Sequence, residues 1–163
     1  MGMKLFDFEN YDAKDVPSGE VYINDDGVNL DQYIEDRNVV IVGIPGAFTP
    51  TCTNKHLPGF VDKEKEIYDQ GIDEIICLSV NDPDVMNAFS DYINHEGSKI
   101  TMAADPLGEV CEQLGLLTDM GIYGQRCKRF AAIISNGKIV NMFVDEKHLD
   151  KSSAENCLAV LKN

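Results

Sequence analysis

Basic residues are scarce in this 163-residue chain: 14 Lys and Arg stand against 28 Asp and Glu, a formal net charge of -14. A field of that sign repels phosphate backbones and anionic lipid, which argues against nucleic acid and membrane surfaces as partners. Long apolar runs are missing too, and none approaches the length of a membrane span. Met1 to Asn10 lacks the basic start and apolar core of a signal peptide, and its early acids, Asp7 and Glu9, are unlike a transit peptide. A cytoplasmic location is the expectation. No repeat, low-complexity tract or linker divides the sequence, so residues 1–163 read as a single domain. A chain of this size buries about 70% of its unfolded surface, enough to need no disulfide or metal for its core. The five cysteines are odd in number and irregular in spacing, unlike a secreted disulfide framework. In a reducing compartment such thiols are buried filler or reactive groups. Cys-x-x-Cys is absent, since Lys55 stands where Cys52 would need its partner; that excludes a dithiol reductase. Cys52 and His56 are four apart, but Pro58 is expected to interrupt that helix and no second pair has metal-ligand spacing. No metal and no cofactor is expected.

What is present is an alternation of strand and helix patterns. Val21-Tyr22-Ile23 followed by Asn24-Asp25-Asp26-Gly27 suggests a hairpin in a turn-rich first stretch. Val39 to Ile44 is a continuous β-branched run, the pattern of a strand buried on both faces. Phe60 to Gln70 places Phe60, Ile67 and Tyr68 on one helical face and stops at Gly71. Glu74 to Val80 reads as a second strand. Asp82-Pro83 opens a helix with Met86, Phe89 and Ile93 on one stripe, halted near Gly97. Ile100 to Ala104 reads as a third strand, and Leu107 to Leu114 as a short helix closed by Gly115. Phe130 to Ile134 and Lys138 to Val144 flank Asn136-Gly137, a strong hairpin signal. Ser152 and Glu155 have capping-box spacing before Cys157, Leu158 and Leu161 on one helical face. A βαβ unit followed by ββα describes a thioredoxin-like α/β fold: a central mixed sheet flanked by helices, with an N-terminal hairpin extension.

The chemistry concentrates in the loop after the first buried strand, Pro45-Gly46-Ala47-Phe48-Thr49-Pro50-Thr51-Cys52-Thr53, which continues to His56-Leu57-Pro58-Gly59-Phe60. Ligands of α/β sheets bind at the carboxyl ends of strands, where this loop sits. Cys52 falls near a helix N-terminus, whose free N–H groups and dipole favour a thiolate. Thr49, Thr51 and Thr53 suggest a polar surrounding rather than core. Ionising a thiol of ordinary pKa gains only roughly 30-fold at neutral pH, about 2 kcal/mol. A fast-reacting thiol also needs donors aimed at the charge that develops on the atom it attacks.

Pro45-x-x-x-Thr49-x-x-Cys52 and the longer string around it resemble the peroxiredoxins, specifically the type II (five-type) branch. The resemblance continues through Ser79-Val80-Asn81-Asp82-Pro83, Ala104-Asp105, Gly108-Glu109 and Arg126-Cys127-Lys128-Arg129-Phe130, so it covers most of the chain from Val39. It implies a thiol-dependent peroxidase acting on hydrogen peroxide and alkyl hydroperoxides, with Cys52 as the peroxidatic thiol that becomes a sulfenic acid. By the same resemblance, the Thr49 hydroxyl bonds thiolate and peroxide, and Arg129 stabilises the thiolate and polarises the peroxide. Pro45 covers the site, and the Thr51 and Cys52 N–H groups complete the donor set. A homodimer with its interface near the active-site loops is implied, with glutathione and glutaredoxin, or thioredoxin, as reductant.

Two cysteines are candidates to resolve the sulfenic acid. Cys77 matches the second cysteine of plant-like type II enzymes but lies inside an apolar strand, and Cys157 lies on the apolar face of the last helix. Animal-like relatives carry a resolving thiol before that helix, where this chain has Ser152-Ser153. Leu57 disfavours the branch whose second cysteine follows five residues after the first. One-cysteine recycling is therefore expected. The alternative is a non-enzymatic thiol redox sensor on the same fold.

Overall fold

The computed structural model describes residues 14–146 and 148–162. The reading of Met1 to Asn10 lies outside them. The elements run β1 (Lys14–Asp15), β2 (Glu20–Ile23), β3 (Asp26–Asn29), α1 (Leu30–Tyr33), β4 (Asn38–Ile44), a π-helical turn (Cys52–His56), α2 (Leu57–Asp69) and β5 (Glu74–Ser79). They continue α3 (Pro83–Ile93), β6 (Thr101–Ala104), α4 (Glu109–Gln113), β7 (Leu117–Asp119), β8 (Gln125–Cys127), β9 (Arg129–Ser135), β10 (Lys138–Asp145) and α5 (Ala154–Lys162). The main sheet has eight strands in the order β1-β10-β9-β4-β5-β6-β2-β3. Strands β4, β5 and β6 are parallel, joined by α2 and α3, while β9 runs antiparallel beside β4 and β10 antiparallel beside β9. This is the expected thioredoxin-like mixed sheet. The β2–β3 hairpin adds to its far edge through Tyr22 and Ala104. Asn24 and Asp25 both take positive φ there, as a two-residue hairpin turn demands.

The run Val39 to Ile44 is apolar and buried at every side-chain-bearing position, because both faces of the strand are covered. Val40, Val42 and Ile44 point into one cluster with Phe60 and Ile67 of α2, Phe89 of α3 and Leu158 of α5. Val39 and Ile41 point the other way, with Leu30, Ile34, Val110 and Phe130. Gly43 interrupts the β-branched run for a steric reason. It pairs with Phe130, and a Cβ at Gly43 would lie 1.9 Å from the Phe130 ring. The ring occupies the volume the side chain would need.

Two local expectations change. Ser153, not Ser152, caps α5: its Oγ accepts the Asn156 N–H at 3.2 Å. The Ser152 hydroxyl is buried and donates to Asp145 Oδ2 at 2.7 Å. Pro58 does not interrupt the helix that begins at Pro50. The preceding turn widens to π form, in which the Leu57 N–H reaches Cys52 O, and Pro58 sits at the start of α2. A proline cannot donate to the ladder, and a π-turn is one of the ways a helix absorbs that loss.

Candidate active site

Strand β4 ends at Ile44 and hands the chain to the Pro45–Thr49 loop. Asn81, just beyond β5, pins this loop: its Oδ1 accepts the Ala47 N–H at 3.1 Å and the Ser79 hydroxyl at 2.5 Å. The next residue, Asp82, caps α3 by accepting the Val85 N–H at 2.8 Å. The motif Ser79 to Pro83 thus fixes the loop that carries the cysteine and starts the following helix. Phe48 takes φ 64° at the loop's turn. The Thr53 N–H makes an early bond of the helical run, to Thr49 O at 3.0 Å. The Thr51 and Cys52 N–H groups precede it, in the first turn, where a helix has no internal acceptors for them.

Cys52 is fully buried and belongs to the apolar cluster under α2. This corrects the expectation of a polar surrounding: Thr49 and Thr51 are half-buried at the rim, and the sulfur itself faces inward. Arg129 opens β9, and the pairing of β9 with β4 carries it across 77 positions of sequence to the cysteine. Its Nη1 lies 3.5 Å from Cys52 Sγ and 3.1 Å from His56 Nδ1. Arg129 is only 9% exposed, and among the described residues no carboxylate forms an ion pair with it. The Thr49 hydroxyl donates to Gly46 O at 2.6 Å, so its lone pairs are what it offers to a neighbour. Pro45 is half-buried at the head of the same loop.

His56 has a part that the sequence did not suggest beyond its spacing. Burial, with the Arg129 cation adding to it, holds its pKa down to about 4, so the ring is neutral at pH 7. Its Nε2 lies 2.9 Å from Ser152 O, which can only accept. The proton therefore sits on Nε2, and Nδ1 is left to accept from Arg129. Ser152 is held in turn by Asp145, which accepts the N–H groups of Asp150, Lys151 and Ser152 besides the Ser152 hydroxyl. Burial pushes the Asp145 carboxyl up, but those hydrogen bonds outweigh it and hold the pKa down to about 2. Asp145 is the Cα partner of Arg129 across β10 and β9, so the chain of contacts closes on itself. A second arginine, Arg126, donates to Val80 O at 2.8 Å and to Tyr123 O at 2.9 Å, bracing the loop from the far side.

These two pKa shifts predict a two-stage loss of stability in acid. The folded value of His56 lies below its ordinary 6.5, so the unfolded chain takes up a proton that the folded chain refuses. Stability falls as pH drops from 6.5 to 4, by about 3 kcal/mol at the foot of that window. Asp145 contributes stability above pH 3.8 that is lost as pH falls through 2. Urea midpoints measured between pH 7 and 4 should fall in the wild type and stay flatter in His56→Asn. Equal slopes would remove His56 as the cause.

The other candidate thiols are Cys77 and Cys157. Both are fully buried, and both lie in the cluster that holds Cys52. Burial, and for Cys77 also the neighbouring Cys52, raises the Cys77 thiol well above its ordinary range, and burial pushes Cys157 up to about 12. Neither is a ready nucleophile in this conformation.

A buried cysteine at the start of a helix, facing a buried arginine on a thioredoxin-like sheet, defines a thiol-based redox enzyme. The redoxin family model matches residues 10–158. Peroxiredoxin-2D of Arabidopsis thaliana is 39% identical over 155 residues, covering 90% of this chain and 94% of its own. The reduced Prx3 of Vibrio vulnificus superposes with a TM-score of 0.88 at 33% identity, over 93% of this chain and 97% of that one. A 1-Cys peroxiredoxin of Plasmodium falciparum gives a TM-score of 0.85 at 26% identity, over 94% and 99%. The chain belongs to the redoxin family and is a peroxiredoxin of the type II branch, a thiol-dependent peroxidase.

Proposed function

We propose that this peroxidase reduces hydrogen peroxide and alkyl hydroperoxides at Cys52, with Arg129 and Thr49 positioning the peroxide and glutathione resolving the product. The observation that carries the reading is the 3.5 Å contact between Arg129 Nη1 and Cys52 Sγ. A buried cation without a carboxylate partner is costly unless an anion meets it, and a thiolate at Cys52 supplies one. The thiolate attacks one peroxide oxygen, the O–O bond breaks, and the departing hydroxide or alkoxide takes a proton. Arg129 stabilises the negative charge as it passes from sulfur to the leaving oxygen. The lone pairs of Thr49 Oγ accept the peroxide O–H, and the Thr51 and Cys52 N–H groups of the first helical turn donate towards the reacting oxygens. Pro45 limits water at the mouth. His56 positions the guanidinium.

Cys52 is left as a sulfenic acid. A glutathione thiolate attacks that sulfur and displaces hydroxide; a second glutathione, with or without glutaredoxin, attacks the mixed disulfide and restores the thiol. Supporting this one-cysteine route are the burial of Cys77 and Cys157 and the serine pair Ser152-Ser153. A reducing cytoplasm suits a chain whose cysteines are free. A homodimer is part of the same reading. Phe48, 49% exposed on the active-site loop, packs edge-on against Tyr92, 53% exposed on α3, and over the buried Phe89 ring, and the two exposed rings are suited to a second copy.

The test is one equivalent of peroxide without reductant, followed by blocking of free thiols and mapping of linkages by mass spectrometry. The expected product is Cys52 as sulfenic acid, converted by added glutathione to a mixed disulfide. A dominant Cys52–Cys77 or Cys52–Cys157 disulfide would overturn one-cysteine recycling and favour thioredoxin as reductant.

A further inference from the structure

Asp145 closes β10 and stands directly opposite Arg129, the first residue of β9. Residues paired in this way project to one face of the sheet with Cβ atoms about 5 Å apart, and an aspartate facing an arginine there is placed for an ion pair. None forms. Arg129 turns its Nη1 to Cys52 Sγ and His56 Nδ1 instead, and the two opposed side chains share no ion pair.

Both carboxylate oxygens of Asp145 are engaged on the other side. Oδ1 accepts the Lys151 N–H at 2.8 Å. Oδ2 accepts the Asp150 N–H at 3.0 Å, the Ser152 N–H at 2.9 Å and the Ser152 hydroxyl at 2.7 Å. Three consecutive residues thus fold around one buried anion, and Ser152 is fully buried with it. The turn they make aims the Ser152 carbonyl at the His56 ring, where Nε2–H donates at 2.9 Å.

We propose that Asp145 is a positioning residue for peroxide reduction: it gathers Asp150 to Ser152 so that the Ser152 carbonyl holds His56, and His56 holds the Arg129 guanidinium on Cys52 and the incoming peroxide. The inference rests on Arg129 as the donor to the peroxide, and adds a residue that makes no hydrogen bond to the sulfur. The sign of the effect separates this role from that of a counter-ion. A counter-ion at Asp145 would draw the guanidinium away from the thiolate, so removing its charge would speed the peroxide reaction. An anchor of the turn gives the opposite result. Asparagine keeps one acceptor oxygen but turns an NH2 group towards N–H donors, which releases part of the turn. The Ser152 carbonyl then leaves Nε2, the acceptor that fixes the ring's tautomer is lost, and Nδ1 no longer receives Arg129 at a set angle.

The experiment compares two reactions of Cys52 in the whole chain: reduction of hydrogen peroxide, followed by rapid mixing, and alkylation by iodoacetamide. Both sense the thiolate and its accessibility, but alkylation displaces iodide and needs no donor aimed at a departing oxygen. Asp145→Asn is expected to slow the peroxide reaction about tenfold, short of the roughly 100-fold cost of a misplaced reacting group, and alkylation by less than about threefold. His56→Asn should show the same contrast, and the double variant should lose no more than the worse single one, because both act on one path to Arg129. Asp145→Glu keeps the carboxylate and should lose less; it carries the same comparison if Asp145→Asn fails to melt as a folded chain. A peroxide rate that is unchanged or faster, equal losses in the two reactions, or losses that multiply in the double variant would overturn the proposal. Arg129→Lys in the same series tells the two readings apart. If it slows peroxide reduction and Asp145→Asn does not, the part given to Asp145 falls alone; if neither does, the part given to Arg129 falls with it.

Discussion

Arg129→Lys is expected to lower the second-order rate of peroxide reduction by about two orders of magnitude, the scale of removing one preorganised donor from an oxyanion-type site. The change keeps the charge and removes the fork. In the native site one guanidinium nitrogen reaches both Cys52 Sγ and His56 Nδ1, which leaves the rest of the planar group directed by that geometry. A lysine ammonium is a compact point charge on a flexible stem and cannot hold the sulfur, the imidazole and a peroxide oxygen in one plane. The measurement is a rapid-mixing rate for peroxide against the reduced enzyme, with a melting curve to check that the buried replacement folds. A loss of less than about threefold would make Arg129 a bystander to the chemistry.

The elements of this fold are unequally legible in its sequence, for physical reasons. The buried strand Val39 to Ile44 is legible because both of its faces are apolar, and the β9–β10 hairpin because Asn136 and Gly137 both need positive φ. The helix from Pro83 is legible because its cap, proline and apolar stripe agree. The β7–β8 ribbon is not, since three-residue strands that pair only with each other carry no periodicity to read. The π-turn hides in the missing N–H of Pro58, which looks like a break until the turn before it is seen to widen. Ser152 and Ser153 are chemically equivalent in sequence. The choice between them is made by Asp145, a carboxylate contributed by the preceding strand.

The same holds at the site. Cys52, Thr49 and Arg129 come from the motif, but the burial of Cys52 does not, because the threonines that suggest an open polar pocket line only its rim. His56 shows only as a histidine four residues after a cysteine. Its tautomer, and hence its part in orienting Arg129, depends on a carbonyl 96 residues away. Ladder pairing across distant strands is what sequence spacing does not display.

The central claim is that Cys52 is the nucleophile, and Cys52→Ser tests it with the largest effect. Serine is nearly isosteric, and Arg129 can donate to its Oγ as it does to sulfur, so the buried hydroxyl keeps a partner and the fold should survive. A serine hydroxyl is not ionised at neutral pH and its oxygen does not displace hydroxide from a peroxide, so no slower version of the reaction is left. The direct measurement is peroxide consumed per chain in the presence of excess glutathione and glutaredoxin, with thermal midpoints recorded on the same samples. The wild type is expected to consume many equivalents, and Cys52→Ser none above the uncatalysed background at a similar midpoint. Turnover retained by the folded variant would contradict the assignment.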